Sequence, residues 1–387
     1  MIPPVYITGT GVLCSAGSDR QALWESLTKG TRGIGPVRIL DTDLRDFPVG
    51  EVPLTDAQLR QRAGAAEGLS RTSLMGILAV GEALSQAGLT DLKEIPLVSG
   101  TTVGGMDLTE KTFPDYSVSH DCGASTDAIA AHFGGTRATT VSTACSSAAN
   151  ALILGANLIR SGRADIVVAG GSECLTSFHL HGFHSLMILD PQPCRPFDIR
   201  RAGLNLGEGA AFLVLESEAS VRARKTHPLA RLSGFGNACD AFHQTASSEN
   251  GEGAFLAMSK ALEMASLLPG DISYVNAHGT GTPNNDASES EALKRVFGVR
   301  MPMVSSTKGL TGHTTSASGS IEATICLIAL QGHFVPGNYG WKTPMESGIT
   351  PVGENRTGQA MRHIMCNSFG FGGNDSSLII SEYGERG

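Results

Sequence analysis

The sequence predicts an α/β protein in which sheets are covered by layers of helix. Two patterns carry this. Short, continuous apolar runs such as Ile166-Val167-Val168-Ala169 and Ala210-Ala211-Phe212-Leu213-Val214-Leu215 have the character of strands covered on both faces. Between such runs lie longer stretches with apolar residues at helical spacing, clearest over 71–87 and over Gly319 to Gln331. Composition agrees: of 387 residues 41% are apolar and only 17% charged, with 48 glycines. That is the profile of a well-packed core with many tight turns, not of a disordered or fibrous chain.

Read in order, Val5 to Thr8 is a strand followed by a glycine-rich turn and a helix near Gln21 to Thr28. Residues 71–87 form a helix, and Pro96 to Ser99 a strand running into Gly104-Gly105. A strand-like run ends at Cys145, and Asn150 to Arg160 is helical. Asp165 to Gly171 and Gly209 to Glu216 are buried strands. The polar stretch Ser217 to His227 is the expected seam, dividing the chain into 1–227 and 228–387. The alternation then restarts. Leu229 to Phe235, Ile272 to Ala277, Met303 to Ser305 and His363 to Ser368 are strands; Gly253 to Ser266, Ser288 to Phe297 and Gly319 to Gln331 are helices. Strands alternating with helices point to parallel sheets. Open sheets of this kind bind ligands where strands end, and the reactive residue types of this chain sit at such ends. No simple sequence repeat is visible.

A net charge of −8 argues against nucleic acid as a partner. The eight cysteines (14, 122, 145, 174, 194, 239, 326 and 366) form no C-x-x-C pair, which suits a reducing compartment. No stretch approaches the roughly 18 apolar residues of a membrane span, and the first residues lack the pattern of a secretion signal. The expected location is the cytoplasm, with no membrane contact.

Cys145 lies in Val141-Ser142-Thr143-Ala144-Cys145-Ser146-Ser147-Ala148, at a strand-to-helix turn. Unpaired N–H groups and the helix dipole favour an anion there, so the position is expected to lower the thiol pKa. Small neighbours leave room for an incoming carbonyl. A free cysteine is more often a buried structural residue; two histidine motifs downstream weigh against that reading here.

The first of these is Asn276-Ala277-His278-Gly279-Thr280-Gly281-Thr282. His278 follows a strand directly, and Thr280 and Thr282 offer hydroxyls to a ligand passing the loop. The second is Ser305-Ser306-Thr307-Lys308-Gly309-Leu310-Thr311-Gly312-His313, followed by an apolar helix containing Glu322. A carboxylate in that helix needs a partner, and Lys308 is the natural one. A last loop, Asn367-Ser368-Phe369-Gly370-Phe371-Gly372-Gly373, alternates glycines with aromatics, as a mobile lid or a backbone cradle does. It lacks the glycine spacing of nucleotide loops. The wide separation of Cys145, His278 and His313 disfavours a metal site.

Together these motifs resemble the elongating β-ketoacyl-acyl-carrier-protein synthases of the thiolase superfamily. The likeness extends over Tyr6 to Gly11, Trp24 to Leu27, Thr143 to Ala148, Arg195-Pro196-Phe197-Asp198, Gly207 to Ala210, Ala277 to Thr280, Lys308-Gly309, Gly312-His313 and Asn367 to Gly373. The resemblance implies a five-layer α-β-α-β-α fold of two similar halves and no metal or cofactor. It implies that Cys145 accepts an acyl chain from an acyl carrier protein, and that His278 and His313 assist decarboxylation of malonyl-carrier protein. Lys308 with Glu322 would set the site's electrostatics. The N–H groups of Cys145 and Phe371 would form an oxyanion hole, and Phe371 would gate the acyl pocket. The expected assembly is a homodimer, or a heterodimer with a homologous subunit.

The late histidine of Gly312-His313 separates the chain from the initiating synthases, whose pattern is Cys-His-Asn. Cys366 reads as a strand residue and not as the second cysteine of a degradative thiolase. Two departures touch the pocket. Leu204 stands where the family often has phenylalanine, and Ser316-Ala317-Ser318-Gly319 replaces the usual Gly-Ala-Ala-Gly. They leave room for a specialised synthase of aryl-polyene or type II polyketide type, paired with a non-catalytic homologue. A thiolase-like acyltransferase using coenzyme A and a non-catalytic partner subunit are the other readings. Arg60, Arg62, Arg200 and Arg201 are the basic residues singled out for docking an acidic carrier.

Overall fold

The computed structural model describes residues 2–384. Its strands are β1 Val5–Cys14, β2 Leu97–Gly100, β3 Ala138–Val141, β4 Ile166–Glu173, β5 Gly209–Ser217, β6 Ala230–Cys239, β7 Tyr274–Asn276, β8 Met303–Ser305, β9 Phe334–Val335, β10 Arg356–Thr357, β11 His363–Gly370 and β12 Asn374–Ser381. Its α-helices are α1 Arg20–Lys29, α2 Asp56–Ala63, α3 Arg71–Ala87, α4 Met106–Thr112, α5 Cys122–His132, α6 Ser147–Arg160, α7 Ser177–Ser185, α8 Glu218–Arg224, α9 Glu252–Ala265, α10 Pro283–Phe297, α11 Lys308–Thr311 and α12 Ser318–Gly332.

Ten strands run in the order β3-β2-β4-β5-β1-β6-β12-β11-β7-β8. The order is a mirrored pair of one plan. On each side two parallel pairings (β3-β2-β4 and β8-β7-β11) lead into two antiparallel ones (β4-β5-β1 and β11-β12-β6). The sheets are therefore mixed, not wholly parallel as the alternation suggested. The cause at β11 and β12 is the three-residue turn Phe371–Gly373, too short for a crossover.

Helix α3 packs on β1 and β5, and α9 packs on β6 and β12, forming two outer layers. Helices α6 and α12 pack on each other and on strands of both sets, forming the middle layer of a thiolase-like five-layer α-β-α-β-α fold. The polar stretch after Ser217 contains α8.

The outer layers are held by matching close contacts. A Cβ on Gly9 or Gly11 would lie 2.3 or 2.1 Å from the carbonyl oxygens of Ala83 and Ala79, and one on Gly234 or Gly236 would lie 2.3 or 2.1 Å from those of Ala261 and Ala257. Gly9 and Gly11 are thus strand residues, not the turn expected after Thr8. They lack side chains because the helix backbone occupies that space. Each strand also carries a register irregularity beside its first glycine, between Ile7 and Gly9 in one and opposite Ile379 and Ile380 in the other.

Candidate active site

Strands β11, β7 and β8 are parallel neighbours, so their C-terminal ends share one edge. His278 follows β7 by two residues, Lys308 and His313 follow β8, and Phe369 and Gly370 end β11. The chain therefore gathers its distant motifs by topology alone.

Cys145 arrives from the other side. Strand β3 stops at Val141, four residues earlier than the sequence suggested, and α6 starts at Ser147, three residues before the expected Asn150. The turn between them puts Ala144 in left-handed backbone, φ 52°, a conformation alanine adopts at a cost. Ser147 holds it: its hydroxyl accepts from the Thr143 N–H at 2.9 Å and donates to the Ala144 carbonyl at 2.6 Å. Gly370 completes the approach, since a Cβ there would lie 3.1 Å from the Thr143 carbonyl oxygen and 3.3 Å from the Cys145 nitrogen. Asn374 ties the same loop to α6: its Oδ1 accepts from Ser146 Oγ at 2.8 Å and Asn150 Nδ2 at 2.7 Å.

His313 Nε2 is 3.1 Å from Cys145 Sγ, and its Nδ1 is 3.0 Å from Ser318 Oγ. Its backbone is pinned by Asn205, whose carbonyl accepts the His313 N–H at 2.7 Å, and by Gly207, whose N–H donates to the His313 carbonyl at 2.9 Å. The His278 ring stands at 86° to that of His313, centroids 5.3 Å apart. Lys308 Nζ lies 3.3 Å from His278 Nδ1 and 2.5 Å from Glu322 Oε1. Glu289 positions the His278 loop by accepting the N–H groups of His278 at 2.9 Å and Gly279 at 2.7 Å.

The electrostatics follow from burial. Cys145 is 5% exposed, and loss of water pushes its thiol up to about 11, against the opposing pull of the Lys308 charge and of the Phe371 and Cys145 backbone N–H groups. The lowered thiol pKa expected from the helix terminus is thus reversed: desolvation of the thiolate outweighs the donors aimed at it. Burial first, and the Lys308 charge second, hold both imidazoles well below their ordinary range, so both rings are neutral at neutral pH. Burial raises Glu322 to about 7, opposed by Lys308.

These groups face a cavity of about 320 Å³. Cys145, His278, His313, Thr280, Thr282, Leu204, Phe369, Gly370 and Phe371 all line it; Lys308 and Glu322 stand behind, buried. Thr280 and Thr282 bond each other through their hydroxyls at 2.9 Å. The wall also includes Phe183, Leu186 and Ile188, which motif reading missed. Phe183 stacks on Phe371, centroids 5.8 Å apart and planes 19° apart. A larger cavity, about 750 Å³, surrounds the Arg71–Glu208 ion pair and shares no lining residue with this one. Cys145, His278 and His313 face the smaller one. Among the described residues no group of three metal-ligating side chains converges, and no helix is long and apolar enough to cross a membrane.

The N-terminal domain of β-ketoacyl synthases matches residues 3–220 and the C-terminal domain matches residues 229–342. The chain belongs to the β-ketoacyl synthase family. Nodulation protein E of Rhizobium meliloti (strain 1021) is 35% identical to this synthase, over 98% of this chain and 99% of that protein. The 3-oxoacyl-[acyl-carrier-protein] synthase 2 of Vibrio cholerae is 34% identical over 97% and 98%. Among solved structures, the ishigamide ketosynthase/chain length factor superposes with a TM-score of 0.91 at 28% identity, covering 99% of this synthase and all of that chain. A ketosynthase in complex with its chain length factor from Xenorhabdus doucetiae gives 0.81 at 29%, covering 98% of each.

Proposed function

We propose that this synthase joins an acyl chain held on Cys145 to malonyl-acyl carrier protein, giving 3-oxoacyl-acyl carrier protein and CO2. One observation carries the reading: His313 Nε2 stands 3.1 Å from Cys145 Sγ, beside a second imidazole whose Nδ1 faces a buried ammonium.

In loading, the Cys145 sulfur attacks the acyl thioester as its proton passes to His313 Nε2. The carrier's pantetheine sulfur leaves and takes that proton. The tetrahedral oxyanion meets the N–H groups of Cys145 and Phe371. In condensation, malonyl thioester loses CO2, and the enolate oxygen needs donors. An ammonium only donates, so His278 Nδ1 accepts from Lys308 and the ring proton sits on Nε2. Such preorganised donors are worth about 3–4 kcal/mol each. The enolate carbon then attacks the acyl carbonyl, the C–S bond breaks, and the sulfur returns as a thiolate, reprotonated from solvent.

Mass spectrometry after incubation with a panel of acyl-carrier proteins tests this. An acyl adduct on Cys145, absent in Cys145→Ala, is expected; loading that persists in the variant removes the nucleophile assignment.

The same reading divides the chain into halves 1–227 and 228–387, places the protein in the cytoplasm, and pairs it with a second thiolase-fold subunit. Phe113, Tyr116 and Val118, between α4 and α5, are 80, 63 and 74% exposed, an apolar segment that suits a partner. Solved relatives that carry a chain length factor favour a non-catalytic homologue as that partner. Sedimentation of the chain alone and after coexpression with such a homologue separates homodimer from heterodimer. Of the basic residues, Arg201 is tied to Asp286 and the Pro283 carbonyl, whereas Arg200, which reaches Asp198 at 3.4 Å, keeps most of its side chain exposed toward an acidic carrier.

A further inference from the structure

We propose that Ser318, standing where the family run has alanine, is a positioning residue particular to this chain: its hydroxyl partners His313 Nδ1 in either tautomer, with the ring as proton acceptor toward Cys145 in loading and as N–H donor in condensation. The inference rests on the reading of Cys145 as nucleophile and His313 as its partner.

The two imidazoles are held differently. His278 Nδ1 faces the Lys308 ammonium, which can only donate, so that ring is fixed as an Nε2–H donor. His313 Nδ1 faces Ser318 Oγ at 3.0 Å, and Ser318 Oγ lies 3.2 Å from Thr314 Oγ1. A hydroxyl donates and accepts. When Ser318 accepts from Nδ1–H, its own proton points to Thr314, and Nε2 presents a lone pair to the Cys145 thiol. When Thr314 donates to Ser318, the Ser318 proton points to Nδ1, and Nε2 carries the hydrogen. A carboxylate or carbonyl in this place would hold the first state only, and an ammonium the second.

During loading the Cys145 proton moves to Nε2, Nδ1–H donates to Ser318, and Nε2 then gives its proton to the departing sulfur, so the ring ends as it began. The change of tautomer passes one proton from Nδ1 out through the Ser318 and Thr314 hydroxyls and brings one to Nε2 from water entering the pocket between the half-reactions; the ring's charge is unchanged. Ser318 is 2% exposed and begins α12, so its hydroxyl has no competing solvent. It is one of the two serines by which this chain departs from the Gly-Ala-Ala-Gly run.

The test is the pH profile of Cys145 alkylation by iodoacetamide, followed by peptide mapping, in the full-length protein. Ser318→Ala should slow alkylation at pH 7 by about tenfold and move the profile toward higher pH. Ser318→Thr, which keeps the hydroxyl, should retain the parent profile, with thermal melts confirming that both variants fold. A Ser318→Ala profile that superimposes on the parent overturns the proposal, as does equal slowing in Ser318→Ala and Ser318→Thr. His313→Ala run in parallel distinguishes the failures. If it too superimposes on the parent, His313 does not assist the thiol and the loading step of the proposed function falls. If it shifts while Ser318→Ala does not, only the role of Ser318 falls.

Discussion

The Lys308 ammonium meets His278 Nδ1 across 3.3 Å while bonding Glu322 on its other side. One buried cation thereby fixes the proton of one imidazole and depresses the basicity of both. Replacing it by methionine keeps the length and removes the charge. Lys308→Met is expected to cut condensation by about 100-fold or more, while Cys145 still accepts an acyl chain. Single-turnover assays of loading and of CO2 release check this; equal loss of both steps would contradict it.

Phe371 stacks on Phe183 over the cavity and offers its backbone N–H to Cys145. Phe371→Ala keeps the N–H and removes the ring. We expect malonyl-carrier protein to be decarboxylated without a prior acyl load, several-fold faster than in the parent. Release of CO2 in the absence of acyl donor measures it.

Leu204 is buried in the pocket wall. Leu204→Trp should shorten the longest accepted chain, with kcat/KM for long acyl donors falling about tenfold or more and that for the shortest nearly unchanged. A chain-length series reads this directly; a uniform fall would place Leu204 outside the acyl path.

Asp375 is raised to about 8 by burial, then by the nearby charges of Asp240 and Glu289. Its pKa is higher folded than unfolded, so the native state binds the extra proton and stability declines as pH rises from about 4 to 8. Asp375→Asn should leave the melting temperature at pH 4 nearly unchanged and raise it at pH 8. Parallel melts at the two values decide the matter, and an unchanged difference between them would count against it.

Gly236 leaves no room for a Cβ against the Ala257 carbonyl. Gly236→Ala is expected to cost about 3 kcal/mol or more, seen as a lower urea midpoint. Gly11→Ala should behave alike, because Gly11 meets Ala79 in the same way.

The loops that carry thiol, imidazole and ammonium were readable because such side chains rarely occupy glycine-punctuated strand ends without purpose. Cys145, His278, His313, Lys308 and Glu322 meet as their types and flanks suggested. The contacts of Ser318, Glu289 and Asn374 were not readable, since serine, glutamate and asparagine are ordinary at helix starts and turns, and only the fold shows what they touch. Helices with a full apolar face, α3 and α12, were found almost to the residue. Strand β1 was cut short at Thr8 because glycine spacing alone does not distinguish a turn from a strand pressed on a helix. The alanines at 79, 83 and 87, and again at 257, 261 and 265, held the missing information; they face the paired glycines. The Cys145 pKa was misjudged because burial depth is a tertiary property.

Because α6 and α12 lie back to back in the middle layer, the nucleophile's helix and the helix that follows His313 are each other's support. A disturbance that loosens one loosens the other, so mechanical integrity and turnover rise and fall together. Inactivation by mild heat or denaturant should therefore precede visible unfolding by very little.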